Sequence, residues 1–502
     1  MSTTTAEAAA VSRNKSFSTV FLIELWERFG FYGMQVLIVY FMIQQLGFAD
    51  NRANLVWGAC AALIYVSPAI GGWIGDKVLG TRRTMLAGAF VLALGYACMS
   101  VPTINTWFLF SALGVIVVGN GLFKSNAGNL VRKIFEGDDS KIDSAFTIYY
   151  MAVNVGAAAS QLFTPWVKNY VNEAYGHGYG WHAAFAVCCF GLLLGLANYL
   201  VMRSYMQNIG SEPDFERADP VKIALVAVGG LAAVALSAAI LQYEDLARAF
   251  VLIAGLAVLA IFWILIKRGD RQERAGLLAA LILVIQTVFF FIFYQQMSSS
   301  LALFALRNVD WNFAAFGTHL WTWSPGQFQA LNPLWIMVLS PPLAWMYTKA
   351  GENGRDLHIA AKFALGFVFV AVGFFTYSSA AWLAVDGKVN SWIMVWGYGF
   401  SSLGELLVSG LGLAMIARYV PARMSGFMMG AYFVSSGVSQ YLGGLVANIA
   451  SVPEGVTEPT RTLPIYTSLF FKLGVTGVIC TLIAFAVLPW MKRLGRIHAG
   501  EA

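Results

Sequence analysis

The run Glu24-Leu25-Trp26-Glu27-Arg28-Phe29-Gly30-Phe31-Tyr32-Gly33 sets two carboxylates and a guanidinium inside an apolar stretch that extends from Phe17 to Gln45. About 20 helical residues cross a bilayer core of roughly 30 Å, so the stretch is long enough to span a membrane. An ionisable group at that depth is costly unless it is paired or hydrated, which makes it a functional candidate by default. The spacing i, i+3, i+4 puts Glu24, Glu27 and Arg28 on one helical face within reach of one another. Phe31 and Gln35 continue the stripe. One face of an apolar helix is therefore polar, and it is expected to border a water-filled cavity; an ion cluster that only locks helices together is the alternative.

Outward from this run the chain keeps the same character. Of its 502 residues, 58% are hydrophobic and 12% charged, against roughly a quarter charged in a soluble domain. Fourteen apolar runs are predicted to span: 17–45, 53–77, 82–101, 106–131, 143–170, 181–202, 222–242, 247–266, 275–306, 327–348, 358–384, 390–417, 424–450 and 464–491. The first contains charges and is followed by no small-residue cleavage site, so it is not read as a signal peptide. Sorting the 32 Lys and Arg residues into alternating loops puts 23 on one side and six on the other, with three inside spans. Positive charge is retained on the cytoplasmic side, so both termini are expected there. The net charge of +6 then reflects topology and not nucleic-acid binding. Five cysteines (Cys60, Cys98, Cys188, Cys189, Cys480) fall within spans and suggest no disulfide or zinc framework. Trp166, Trp181, Trp321 and Trp323 lie near predicted interfaces and read as anchors.

A charged linker, Arg203 to Lys222, is too polar to enter lipid and divides the chain. The expected plan is an N-terminal six-helix bundle (1–203), a linker with two extra, lipid-facing helices (204–274) and a C-terminal six-helix bundle (275–502). Two such bundles are expected to pack around a midplane site.

Few further charges lie well inside a span. Lys124, within Gly119-Asn120-Gly121-Leu122-Phe123-Lys124-Ser125-Asn126, has polar neighbours, Asn120, Ser125 and Asn126, that suggest a wet face; a side chain snorkelling to the headgroups is the alternative. Glu405 has no basic residue within a turn or two, so it needs a partner from elsewhere, such as a ligand amine, or a proton and a neighbouring helix. Tyr32, Tyr65, Tyr149, Tyr150, Asn154, Gln295, Gln296, Asn332 and Ser409 complete the polar and aromatic set, and each alone is weak evidence. The turn Gly72 to Arg83 reads as a gate latch, with Asp76 pairing to Arg82 or Arg83 in one access state.

These residues resemble the proton-dependent oligopeptide transporters, a branch of the major facilitator superfamily. The run Glu24 to Gly33 resembles the family's first-helix signature. Gly72 to Arg83 is similar to the superfamily's motif between helices two and three, and Tyr149-Tyr150-Met151-Ala152-Val153-Asn154 to the family's fifth-helix motif. Gly121 to Lys124 and Gly404-Glu405-Leu406 fit its fourth- and tenth-helix elements, and the resemblance looks closest to the bacterial di- and tripeptide permeases. It implies that Glu24, Glu27, Arg28 and Lys124 handle the proton and the peptide carboxylate. It further implies that Glu405 binds the peptide amine, and that Tyr32, Tyr65, Tyr150, Asn154, Asn332 and, more weakly, Gln295 and Ser409 contact the peptide. Gln35 stands where many members carry an arginine whose usual acidic partner is also missing here, which reads as a changed extracellular gate.

The expectation is thus an all-α polytopic protein of the major facilitator fold: a proton-coupled symporter of di- and tripeptides, monomeric, in a bacterial inner membrane. It would be no enzyme and would need no metal or cofactor beyond the proton as coupling ion. Transport of nitrate or of a peptide-like drug, and a non-transporting sensor on the same scaffold, are the alternatives.

Overall fold

The computed structural model describes residues 2–137, 139–315, 317–352, 357–408, 419–420 and 425–500. A described helix coincides with each predicted span. In the first half these are α1 (Ser2–Gln44), α2 (Asp50–Ile74), α3 (Thr81–Met99), α4 (Thr106–Ile134), α5 (Asp139–Tyr175), α6 (Tyr179–Met202) and α7 (Pro220–Gln242). The second half has α8 (Glu244–Arg268), α9 (Arg271–Gln295) with its continuation α10 (Ser300–Asn308), α11 (Leu331–Glu352), α12 (Ile359–Ser378), α13 (Trp392–Val408), α14 (Ser425–Ala447) and α15 (Pro459–His498). Among the described residues, eight helical stretches are long and apolar enough to cross a membrane by length and composition.

Helix starts follow local chemistry. Asn105 accepts from Trp107 N at 2.9 Å to cap α4, and Asp270 accepts from Glu273 N at 2.8 Å to cap α9. Asp219 caps α7 ahead of Pro220, whose missing N–H costs nothing in a first turn. Pro68 within α2 cannot donate to the carbonyl of Ile64, and Ser67 Oγ supplies that donor instead at 3.2 Å.

The chain forms two compact units: Met1–Leu46 with Leu63–Leu246, and Gly47–Ala62 with Ala247–Ala502. The expected middle segment 204–274 is not a unit of its own: α7 packs along α4 in the first unit, and α8 falls in the second. In the first unit α1 packs on α5 and α6, and α3 on α4 and α6. In the second, α12 lies between α13 and α15, while α9 contacts α14 and α15. The first turns of α2 belong to the second unit because Gly58 and Gly444 let α2 and α14 approach backbone to backbone; a Cβ on Gly444 would meet Asn54 O at 2.7 Å.

Between α10 and α11 a two-stranded antiparallel hairpin, β1 (Asn312–Ala315) and β2 (Thr318–Thr322), stacks Phe313 on Trp321 with centroids 5.0 Å apart. Trp166 and Trp321 are exposed. Trp181 is buried against Phe41 with Lys168 Nζ 4.4 Å from its ring, and the half-buried Trp323 packs between Phe313 and Phe328.

Candidate functional site

In the first unit the charged face of α1 is buried against α5. Gly156 makes this possible: a Cβ there would lie 2.4 Å from Leu25 O and 3.2 Å from the Arg28 Cβ, so only glycine allows this approach. Glu24, Glu27 and Arg28 are each at most 3% exposed. Arg28 Nε faces both carboxylates, Glu24 Oε1 at 3.4 Å and Glu27 Oε2 in a close contact. Tyr149 donates its hydroxyl to Glu24 Oε2 at 2.6 Å. The guanidinium also lies 5.0 Å from the Phe31 ring, as the shared stripe predicted.

Two polar atoms of this cluster have no hydrogen-bond partner among the described residues: Glu27 Oε1 and Arg28 Nη2, both buried. A buried donor and a buried acceptor left open are costly, and each calls for an explanation. One oxygen is open to a proton. One guanidinium nitrogen is open to an anion.

Lys124 lies half-buried with Nζ 5.0 Å from the Tyr65 ring centroid. Of its polar neighbours, Asn120 is buried with its amide unpartnered among the described residues, and the other two bond across to α2. Ser125 Oγ donates to Pro68 O at 2.6 Å and Asn126 Nδ2 to Gly71 O at 2.9 Å, so both join α4 to α2. Tyr32 is half-buried and Tyr150 exposed, while Asn154 is buried and donates to Tyr150 O at 2.8 Å within its own helix.

In the second unit Glu405 on α13 is 7% exposed, and Asn332 on the first turn of α11 donates to its Oε2 at 2.7 Å. Asn332 Nδ2 also reaches Ser402 Oγ at 3.0 Å. The partner absent from the local sequence is thus an amide from another helix, and no ion pair to Glu405 is present among the described residues. Gln295 is buried beneath Gly443, with its Nε2 unpartnered among the described residues. Gln296 donates to Ile292 O and Gly443 O, each at 3.0 Å, tying α9 to α14. Ser409 lies outside the described residues.

The latch pairing, expected in one access state only, is not formed among the described residues of this arrangement. Asp76 accepts from Asn129 Nδ2 at 2.7 Å and from Thr81 Oγ1 at 3.5 Å, and it pairs with neither arginine. Arg82 donates to the carbonyls of Met206, Gln207 and Ile209, and Arg83 to those of Pro213 (2.8 Å) and Glu216 (2.6 Å). Asp214, 3% exposed, accepts from Arg82 N and Arg83 N at the start of α3. Both arginines hold the linker because the first N–H groups of α3 need an acceptor and Asp214 brings one from the linker.

A second, partly buried ion pair was not legible in the sequence. Arg307 at the end of α10 makes a bidentate contact to Asp50 at the start of α2, with Nη1–Oδ2 2.6 Å and Nη2–Oδ1 2.8 Å. Val452 N also donates to Asp50 Oδ2 at 3.1 Å, and Tyr466 contacts Arg307. Both charges sit at helix ends, where hydropathy assigns them to loops.

What this fold and these charges define is a class: a polytopic helical membrane protein with ionisable groups buried and paired inside its spans. The chain belongs to the POT family, whose profile matches residues 82–463. It is 38% identical over 498 residues to dipeptide and tripeptide permease B of Aeromonas hydrophila subsp. hydrophila, covering 99% of this chain and 96% of that one. It is 40% identical over 487 residues to dipeptide and tripeptide permease A of Proteus mirabilis, covering 97% and 96%. Among solved structures, a crystal structure of tetrameric PepTSo2 superposes with a TM-score of 0.89 at 67% identity, covering 96% of this chain and 100% of that one. The fold is the all-α major facilitator architecture of these peptide transporters.

Proposed function

We propose that this protein is a symporter that imports di- and tripeptides with protons by alternating access. The single observation that carries the reading is the shared guanidinium: Arg28 is held between Glu24 and Glu27 while Glu27 Oε1 and Arg28 Nη2 stay open. A proton arriving on Glu27 weakens its hold on Arg28, which then has donors to offer a peptide carboxylate. Lys124 adds a second cation for that carboxylate. Glu405, supported by the neutral amide of Asn332, offers its charge to the peptide amine. A carboxylate in that place opposes a simple anion such as nitrate.

Tyr32, Tyr65, Tyr150, Asn154 and Asn332 are proposed peptide contacts, with Gln295 a weaker one. The inner membrane, with both termini cytoplasmic, follows from the loop charges. One chain carries the whole charge set, so the monomer is proposed as the working unit. The test is peptide-driven acidification of proteoliposomes: wild type acidifies its lumen when di- or tripeptide is supplied outside. Glu27→Gln should lose proton-driven accumulation while keeping peptide counterflow; normal accumulation by that variant contradicts the role of Glu27.

A further inference from the structure

We propose that the turn after α2, the linker and the first turn of α7 form a binding site for a membrane phospholipid whose headgroup carries both a phosphate and a primary ammonium. A cavity of about 430 Å³ lies there, with Arg83, Arg217, Lys222 and Glu216 in its lining and Leu79 and Ile223 as apolar wall. Its frame is built in place. Arg83 bridges Pro213 O and Glu216 O, and the buried Asp214 is bound to the start of α3 through two backbone N–H groups, so the linker cannot drift from the turn.

The charges in the lining divide by what they already do. Arg83 is engaged with those carbonyls, and Asp219 accepts from Val221 N at 2.9 Å as the cap of α7. Arg217, Lys222 and Glu216 make no side-chain hydrogen bond or ion pair among the described residues. Two free cations and one free carboxylate on a single cavity match a phosphate together with an ammonium. A purely anionic headgroup leaves Glu216 facing like charge, and a choline headgroup has no N–H to donate to it.

The flank of the cavity decides between a lipid and a soluble phosphate. Only 17% of the apolar window of α7 is buried, and Val221, Leu225 and Val228 are 64–67% exposed. Ile223 of the same helix stands in the cavity wall, and the exposed apolar surface of that helix is where acyl chains belong when a headgroup sits at its first turn.

The test is native mass spectrometry of the purified full chain equilibrated with equal amounts of dioleoyl phosphatidylethanolamine, phosphatidylglycerol and phosphatidylcholine. One phosphatidylethanolamine per chain should be retained, about tenfold over either competitor. Arg217→Ala/Lys222→Ala should lower that retention about tenfold, and Lys492→Ala/Arg493→Ala should not. Glu216→Gln should abolish the preference over phosphatidylglycerol. Equal retention of phosphatidylcholine, or unchanged retention by Arg217→Ala/Lys222→Ala, overturns the site. Displacement of the lipid by an equal concentration of glycerophosphoethanolamine overturns its assignment to membrane lipid. Both replaced cations lack side-chain partners among the described residues, so the double variant is expected to fold, and peptide counterflow by it verifies this independently of lipid binding.

Discussion

Replacing Asp50 with Ala removes the acceptor of three hydrogen bonds at once, two from Arg307 and one from Val452 N. Taking one partner from a buried ion pair costs about 3–5 kcal/mol, because the other charge is left uncompensated. Here the Arg307 side chain is 17% exposed and keeps Tyr466, so part of its charge is still solvated and the loss should be nearer 2–3 kcal/mol. Arg307→Ala strands the carboxylate instead, which is 4% exposed and retains, among the described residues, Val452 N, and it should cost at least as much. The two losses should not add. In the double variant neither charge is left behind, so a double-mutant cycle should return a coupling of about 1.5–3 kcal/mol. The assay is reversible unfolding of the solubilised protein in a denaturant series, read by tryptophan fluorescence. Because the pair is largely buried, raising ionic strength should change the coupling little. A coupling below about 0.5 kcal/mol, or one that disappears in high salt, would refute a buried, directly bonded pair.

Three further outcomes follow from the same contacts. Gly156→Ala puts a Cβ 2.4 Å from Leu25 O, so α1 must shift with Arg28 on it; stability should fall by about 1–3 kcal/mol and peptide affinity with it, and unchanged binding would remove Gly156 from the positioning of Arg28. Gly80→Ala faces both a φ of +100° and Asp214 Oδ1 at 2.4 Å; a loss of about 2–3 kcal/mol, with faster proteolysis of the linker between Arg203 and Asp219, is the expected result, and an unchanged cleavage rate counts against the clamp. Acetylating the peptide amine should weaken binding to the intact protein far more than binding to Glu405→Ala, whose carboxylate is already gone; equal losses would mean that Glu405 does not read the amine.

The amino-acid sequence by itself determined the membrane class, the places of the helices and the charged stripe of α1, because each is a local property. An apolar run of spanning length is read from composition, and the spacing of Glu24, Glu27 and Arg28 fixes their common face whatever surrounds them. Partners come from elsewhere in the chain and were not legible. Glu405 finds Asn332 at a separation of 73 residues, Glu24 finds Tyr149 at 125, and Asp50 finds Arg307 at 257. The contacts of the α2–α3 turn were hidden for the same reason: Arg82 and Arg83 stand close to Asp76 in sequence, but the open N–H groups of α3 are met by Asp214, more than 130 residues away. Small residues were equally silent, since Gly156 acquires its role only when Leu25 and Arg28 arrive against it. Backbone propensity and hydropathy act over a few turns of helix, whereas the pairing of buried charges depends on which helices pack together, and only the tertiary structure decided that.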